Sequence, residues 1–432
     1  MRTAFAAAVA ALLLFFIAIP AGALTLADAT WREMLGLADC VVAARVASID
    51  SERSQAPGDH GIRTRMRLEQ VRVLSGKSKL TSLDVLLPGG TLDGKTVRVP
   101  GAPRFSDGEA VVLFLRRTDA NDSEFYLCGH GLGVLRVRGE SVVPDIPVNG
   151  GPTASGENTA AFEARFAAVP AVSQNAEQDS KMAVAMHPSS DSSVALWMYL
   201  GFAGVSALLV ITLRRKKRAA AIMLMLCGAG ALAVLVYRPV RAAAPAGGFT
   251  YVLEGPKWDL TSPTFGRVGG GRILWYQGGG TKDLSDSVAF DVIRAAFQKW
   301  EDVPNSAVAF RQAGLSIDRG EAADEHNTIS FLKKPPRPTF DAKTLAVTYL
   351  INDGPGQFFT DTDTVFNDRD IVWAAAGQRY SLDVVALHEL GHFIGLGHST
   401  STDDVMYPVA QGLHELSASD AAGAVALYPF AA

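Results

Sequence analysis

The sequence predicts a multidomain chain: a small all-β barrel or sandwich first, then a transmembrane helical hairpin, then an α+β domain at the C-terminal end. Three observations carry this reading. Short β-branched stretches broken by Gly, Pro and Asp recur before residue 146. Two uncharged apolar runs flank "RRKKR" near the middle of the chain. After residue 249, helical and strand periodicities are mixed. The length of 432 residues exceeds one typical domain, and 48% hydrophobic residues is high for a wholly soluble protein. A net charge of −4 supplies no basic field and speaks against a nucleic-acid partner.

Residues 1–23 combine Arg2, an apolar run and the small residues Ala21, Gly22 and Ala23. That is the pattern of a secretory signal peptide, and an uncleaved anchor would export the following segment equally well. Residues 24–146 form the β-rich domain. "CVVAARVASID", "RTRMRLEQVRVLSG", "SLDVLLPGG", "EAVVLFLRR" and "GVLRVRG" read as short strands with turns between them. Their rhythm is similar to that of an oligonucleotide/oligosaccharide-binding type barrel, a likeness of fold that says little about function. His60 and His130 sit near glycines and read as loop histidines. Of three cysteines, Cys227 falls in an apolar run, and Cys40 and Cys128 are one candidate disulfide if exported.

Residues 147–193 are rich in Ala, Ser, Gly and Pro and read as a linker, with "ENTAAFEARFAAV" a candidate short helix. Residues 194–213 and 219–237 are runs of 20 and 19 residues without a charge. Each is long enough to cross a hydrocarbon core of about 30 Å. Residues 214–218, "RRKKR", place five positive charges in the connection, which stays cytoplasmic. The expected location is the plasma or inner membrane, with lipid met through two transmembrane helices and both end domains extracytoplasmic. "RRKKR", the apolar stretch after it and "VRAAA" at residues 240–244 together also resemble an internal signal peptide, with processing near residues 242–244 releasing the C-terminal domain.

Residues 249–432 have typical domain size. "GRILWYQGGG" reads as a strand and glycine turn, and "DSVAFDVIRAAFQKWEDV" as an amphipathic helix with Ala289, Val292, Ile293, Ala296, Phe297 and Trp300 on one face. "NTISFL", "LAVTYLIN" and "DTDTVFN" read as strands. Trp258, Trp275, Trp300 and Trp373 suit core packing, and "LKKPPRP" a solvated loop. "SLDVVALHELGHFIGLGHS" then opens a helix with Ser381 as N-cap and Asp383 at its positive end.

His388 and His392, four apart, project from one helix face. Glu389 lies about 100° further round and reaches the edge of a site between them. Gly395 permits a sharp turn, which brings His398 back as a third nitrogen. Three neutral imidazoles leave one tetrahedral position open, the pattern of a catalytic rather than a structural zinc.

The run "HELGHFIGLGHS" resembles the metzincin zinc-endopeptidase signature, H-E-x-x-H-x-x-G-x-x-H. Ser399 and the subsequent "VMYP" are similar to the matrixin, or matrix metalloproteinase, branch. The resemblance covers residues 249–430 and implies an α+β metzincin-type protease domain. It implies His388, His392 and His398 as ligands of one catalytic Zn2+, Glu389 as general base and Met406 as the methionine beneath the metal. It further implies Tyr407 and Pro408 in the wall of the pocket for the residue after the scissile bond, and "LSASDAAGAVALYP" as the closing helix. The expected activity is a membrane-anchored zinc endopeptidase with a polypeptide substrate. That substrate would lie along the strand edge at residues 345–350. No cysteine stands in a latency motif, and His326 is the one other upstream histidine of the domain, so no second zinc is expected. Ca2+ is a candidate through Asp353, Asp361, Asp363 and Asp368, although turn-forming aspartates look the same. His414 reads as a surface residue. The alternative is a membrane-tethered, non-catalytic binding protein with a structural zinc, against which an intact Glu389 argues. An intramembrane protease is disfavoured because Asp383 and the glycines interrupt the motif helix, which lies far from either span.

Overall fold

A computed structural model describes residues 24–54, 60–76, 81–118, 123–167, 248–261, 268–316, 323–333, 340–353 and 358–430. The expected signal peptide, most of the linker, both apolar spans with their basic turn, the processing site and most of "LKKPPRP" lie outside these residues.

Before residue 168 the elements are β1 (Thr25–Leu26), α1 (Trp31–Leu37), β2 (Cys40–Arg53), β3 (Ile62–Gly76), β4 (Leu83–Pro88), β5 (Gly90–Leu92), β6 (Lys95–Arg98), β7 (Ala110–Arg117), β8 (Glu124–Leu127), β9 (Val134–Arg138), β10 (Ser141–Pro144), β11 (Glu157–Asn158) and α2 (Thr159–Ala167). Strands β2, β3, β4, β8 and β7 close a ring through antiparallel pairs and one parallel seam, β4 with β8. Closure leaves no edge within the ring, and alternate residues point inward. Val42, Met66, Val85, Leu113 and Phe125 are among those that fill it. Cys40 and Cys128 are separate buried thiols. Burial pushes the Cys40 thiol up to about 11 and holds the Cys128 thiol well above its ordinary value, which disfavours the thiolate of both near neutral pH.

After residue 248 come β12 (Val252–Leu253), β13 (Val268–Gly269), β14 (Arg272–Gln277), α3 (Asp286–Glu301), β15 (Phe310–Leu315), β16 (Thr328–Leu332), β17 (Thr344–Asp353), β18 (Asp361–Asn367), α4 (Leu382–Phe393), β19 (Leu396–Gly397) and α5 (Ala418–Leu427). Helix α3 starts at Ser285, whose hydroxyl accepts from the Val288 amide. It buries Ala289, Phe290, Ile293, Ala296, Phe297 and Trp300, while Val292 is half-buried. Trp300 Nε1 donates to the Leu387 carbonyl at 2.9 Å, which ties α3 to α4 in the core. Trp258, Trp275 and Trp373 are buried in the same cluster.

The sheet order is β13-β14-β16-β18-β17-β6-β5, with β15 beside β14 and β1 beside β17. Strands β14, β15, β16 and β18 run parallel, and β17 is antiparallel to β18. Three strands of this sheet, β1, β5 and β6, come from the N-terminal region. The two β regions that the sequence suggests as separate modules therefore interlock within one unit, Met1–Val172 with Ala242–Ala432. The contact between them has an apolar cluster, in which Leu24, Leu26, Val97 and Val112 meet Val347, Tyr349 and Val409.

The expected transmembrane helical hairpin is not supported. Among the described residues no helix is long and apolar enough to cross a membrane. The longest described helix, α3, has 16 residues. That is about 24 Å, short of the ~30 Å of hydrocarbon, and one face of it is polar. The fold class is corrected to a predominantly β architecture built around the sheet and helices of residues 249–430. Lipid contact through two transmembrane helices falls with the hairpin.

Candidate metal centre

Every side chain of α4 except Asp383 is buried. Its polar residues are therefore enclosed from the start, and each needs a partner. Ser381 stands at the N-cap position with extended backbone, but its hydroxyl lies between the Gln378 carbonyl and Asp383, two acceptors for its one proton, instead of accepting from a helix amide. The helix ends where Gly395 takes φ +107°, a conformation that L side chains rarely adopt. A Cβ there would also lie 2.8 Å from the Pro256 carbonyl. The turn carries the chain back to His398.

The three histidines converge. His392 Nε2 lies 2.8 Å from His388 Nε2, which lies 3.1 Å from His398 Nε2. Among the described residues they are the one cluster of ligand-type groups with its ligand atoms within 4.8 Å of one another. The far side of two rings is fixed: His388 Nδ1 is 2.6 Å from the Val405 carbonyl, and His392 Nδ1 is 2.7 Å from the Leu396 carbonyl. A carbonyl only accepts, so each Nδ1 carries the proton and each Nε2 presents a lone pair. Burial pushes the pKa of His388 down to about 4, and burial with the neighbouring imidazoles pushes His392 and His398 well below the usual range. Three buried imidazoles aimed at one point, two of them fixed in tautomer, fit a zinc ion.

Glu389 is fully buried but stands outside the nitrogen cluster. Its Oε1 accepts from Thr25 Oγ1 at 2.6 Å and from the Thr25 amide at 3.1 Å, and its Oε2 accepts from Thr348 Oγ1 at 2.6 Å. Burial pushes its carboxyl up, and these donors pull it down. Met406 is buried against α4, where a Cβ on Gly391 would come 2.2 Å from its Sδ. Asp420, on the capped first turn of α5, accepts from the Val405 and Met406 amides at 2.9 and 3.2 Å. Ser399 is bonded to Asp404, and its amide donates to the Met406 carbonyl at 2.8 Å. A small pocket beside His388 is lined by Val384, Val405, Ala410 and Leu413. Tyr407 packs in the adjoining apolar cluster, and the Pro408 carbonyl accepts from the Leu26 amide at 3.0 Å.

Thr25, Thr348, Gly391 and Asp420 are not marked as site residues by the sequence. A signal was available for Thr348. In β17, Thr344, Ala346 and Thr348 share one face, and threonines on a fully buried face call for polar partners. Thr25 has no local signal, since its partner lies 364 residues away.

The other candidates do not gather at the site. Asp368 accepts from Thr281 Oγ1 and from the amide and Nζ of Lys282. Asp363 accepts from the Thr328 amide and faces His60 Nε2 at 3.0 Å, and Asp361 accepts from the Glu325 amide. Asp353 is exposed at the end of β17. His60 lies in a turn as expected but is buried, stacked on Tyr349. His414 is at the surface, 2.7 Å from Asp383. The β17 edge expected to receive a substrate peptide is largely taken: β1 pairs with residues 344–346 and β6 with residues 350–353.

Residues 272–429 match the model of the Matrixin family. The match contains all three histidines, Glu389 and Met406, and it shows a matrix metalloproteinase-like catalytic domain whose metal is zinc. The chain is similar to stromelysin-1 of Rattus norvegicus, 29% identical over 184 residues, 42% of this chain and 34% of that protein. It is 33% identical over 177 residues to interstitial collagenase of Sus scrofa, 40% of this chain and 33% of that protein. With neutrophil collagenase of Homo sapiens the identity is 28% over 176 residues, 40% of this chain and 33% of that protein. The chain thus spans about a third of the length of these relatives.

Proposed function

We propose, from the matrixin-like catalytic domain of residues 272–429, that this chain is a zinc-dependent endopeptidase acting on polypeptides outside the cytoplasm. One observation carries the reading. The Nε2 atoms of three buried histidines converge beside a buried carboxylate that is held by threonine donors and by no cation. A purely structural zinc has no use for such a carboxylate. The export half of the proposal is supported by the apolar, small-residue pattern of residues 1–23.

His388, His392 and His398 would hold the ion, each kept neutral by burial and two of them fixed in tautomer by a backbone carbonyl. When bound, zinc supplies a Lewis acid that polarises the scissile carbonyl and acidifies water. Glu389 accepts the proton of the attacking water and passes it to the leaving amine nitrogen. Thr348 holds one oxygen of that carboxylate, so the other is the oxygen that handles the proton. The peptide lies extended between β17 and the chain at residues 408–410 and takes backbone hydrogen bonds from both.

The test is hydrolysis of a quenched fluorescent peptide by wild type and Glu389→Gln, with zinc content measured alongside. Loss of turnover with zinc retained supports the reading. A variant that cleaves as fast as wild type sinks it.

A further inference from the structure

The channel that the proposed function assigns to the substrate already has an occupant, residues 24–27 of the same chain. On one side Thr25 and Leu26 pair antiparallel with Ala346 and Thr344 of β17, and the Ala27 amide donates to the Lys343 carbonyl at 2.8 Å. On the other side the Leu26 amide donates to the Pro408 carbonyl and the Ala410 amide donates to the Leu26 carbonyl, both at 3.0 Å, in parallel sense. The segment thus fills both walls of the channel at once. Between those walls Thr25 turns its amide and its hydroxyl onto Glu389.

The flanks anchor the segment. Leu24 and Leu26 are 0% and 1% exposed, in the apolar cluster shared with the barrel. Asp28 accepts from Arg379 Nη1 at 2.8 Å, and its amide donates to Tyr380 Oη at 3.0 Å. Lys343 Nζ reaches the Asp28 carbonyl and Glu33, each at 3.0 Å. Apolar packing shared with the barrel region and polar contacts to residues 343, 379 and 380 thus both hold the segment.

We infer that residues 24–27 are a built-in inhibitory strand, so that the chain as folded here is a latent enzyme; this rests on the proposed endopeptidase function. A substrate needs the same backbone donors and acceptors of β17 and residues 408–410, and two peptides cannot share them. A tethered competitor is present at an effective concentration on the order of millimolar. The strand is not itself cut because its threonine occupies the base: a carboxylate oxygen already accepting from an amide and a hydroxyl does not take the proton of a water. Neither described cysteine takes part in this latch, since Cys40 and Cys128 are buried thiols of the barrel region.

The test uses the full chain and three single variants. Thr25→Pro removes both donors to Glu389 and keeps extended backbone. Thr25→Val removes only the hydroxyl at equal volume. Leu26→Asp places a charge in the apolar cluster and expels the strand. The first readout is zinc-loaded turnover of a quenched fluorescent peptide. The second is binding of a fluorescein-labelled peptide Leu-Thr-Leu-Ala-Asp-Ala, the sequence of residues 24–29, to metal-free protein, which needs no catalysis. Thr25→Pro and Leu26→Asp are expected to turn over at least tenfold faster than wild type and to bind the peptide at least tenfold tighter, with Thr25→Val between. Wild type that binds the peptide as tightly as the variants, or turns over equally fast, overturns the latch and leaves the protease reading standing. Variants that bind the peptide but hydrolyse nothing support the latch and remove the protease reading. If Leu26→Asp fails to fold, the two Thr25 variants decide.

Discussion

Thr348 Oγ1 lies 2.6 Å from Glu389 Oε2, and the same hydroxyl stands 2.9 Å from Thr364 Oγ1. A hydroxyl has one proton, so the pattern has a direction: Thr364 donates to Thr348, and Thr348 donates to the carboxylate. Unlike the Thr25 contact, this one belongs to the sheet of the catalytic domain and persists when the N-terminal strand leaves. It is the fixed support of the base.

Replacing Thr348 with Val keeps the volume and removes that donor. An orphaned buried acceptor costs about 1–3 kcal/mol, and each 1.4 kcal/mol placed on the barrier is about tenfold in rate. In a Thr25→Pro background, Thr348→Val should lower kcat about tenfold with KM and zinc content unchanged. Steady-state kinetics with metal analysis check this. An unchanged kcat would mean that Thr348 serves packing alone.

Gly391 is the second test of the site's construction. A Cβ there would fall 2.2 Å from Met406 Sδ and 2.8 Å from the Trp300 ring. Both neighbours are fully buried, so neither has room to give way. Gly391→Ala should destabilise by about 1–3 kcal/mol, the usual cost of overpacking. Its helix propensity alone would stabilise by up to about 1 kcal/mol, so the sign of the shift in urea midpoint separates the two effects. A raised midpoint would refute the close packing of Met406 on α4.

Much of this centre is legible in the chain because its parts are local. His388 and His392 share a face through helical geometry, Gly395 turns the chain because only glycine takes that φ easily, and His398 comes three residues later. The helices and strands of the C-terminal domain announce themselves by periodicity in the same way. What escapes is non-local. Thr25 meets Glu389 across 364 residues, and no pattern near Thr25 marks it. The pairing of β1 and β6 with β17 escapes for the same reason: an edge strand looks alike whether its partner is a substrate or a distant stretch of the same chain. The hairpin rests on the length and apolarity of two runs outside the described residues, and no described helix has the length or apolarity to support it.

Metal removal should be felt through the fold as well as the chemistry. Without an ion, three buried Nε2 atoms face one another at 2.8 and 3.1 Å. A ligand that binds only the folded state stabilises it by RT ln(1 + [L]/Kd), about 4 kcal/mol at a thousandfold excess over Kd. Chelation should therefore lower the thermal midpoint of wild type, and excess zinc should restore it. His392→Ala should show neither response. A midpoint in wild type indifferent to zinc would mean that the triad does not hold it.

Asp361 makes stability depend on pH in a direction opposite to the usual carboxylate. It is 1% exposed, its Oδ1 has no hydrogen-bond partner among the described residues, and its Oδ2 accepts from the Glu325 amide at 3.0 Å. Burial and then the neighbouring Asp363 push its pKa from 3.8 up to about 8, while the Glu325 amide and His60 pull it back. Between those two values the folded chain holds a proton that the unfolded chain has lost. The contribution of Asp361 to stability is thus complete below pH about 4, falls as pH rises, and is gone above about 8. Each pH unit inside the window costs at most about 1.4 kcal/mol. The histidine triad slopes the other way, since His388 is held down at about 4, so the raw profile mixes both signs. The difference between wild type and Asp361→Asn isolates the carboxyl, because Asn keeps the acceptor for Glu325 and carries no titrating proton. Urea unfolding at pH 5, 6.5 and 8 should show the variant gaining on wild type at each step. A difference that stays constant across the three would mean that Asp361 is already ionised in the folded chain and that His60 and the Glu325 amide stabilise it against both its burial and Asp363.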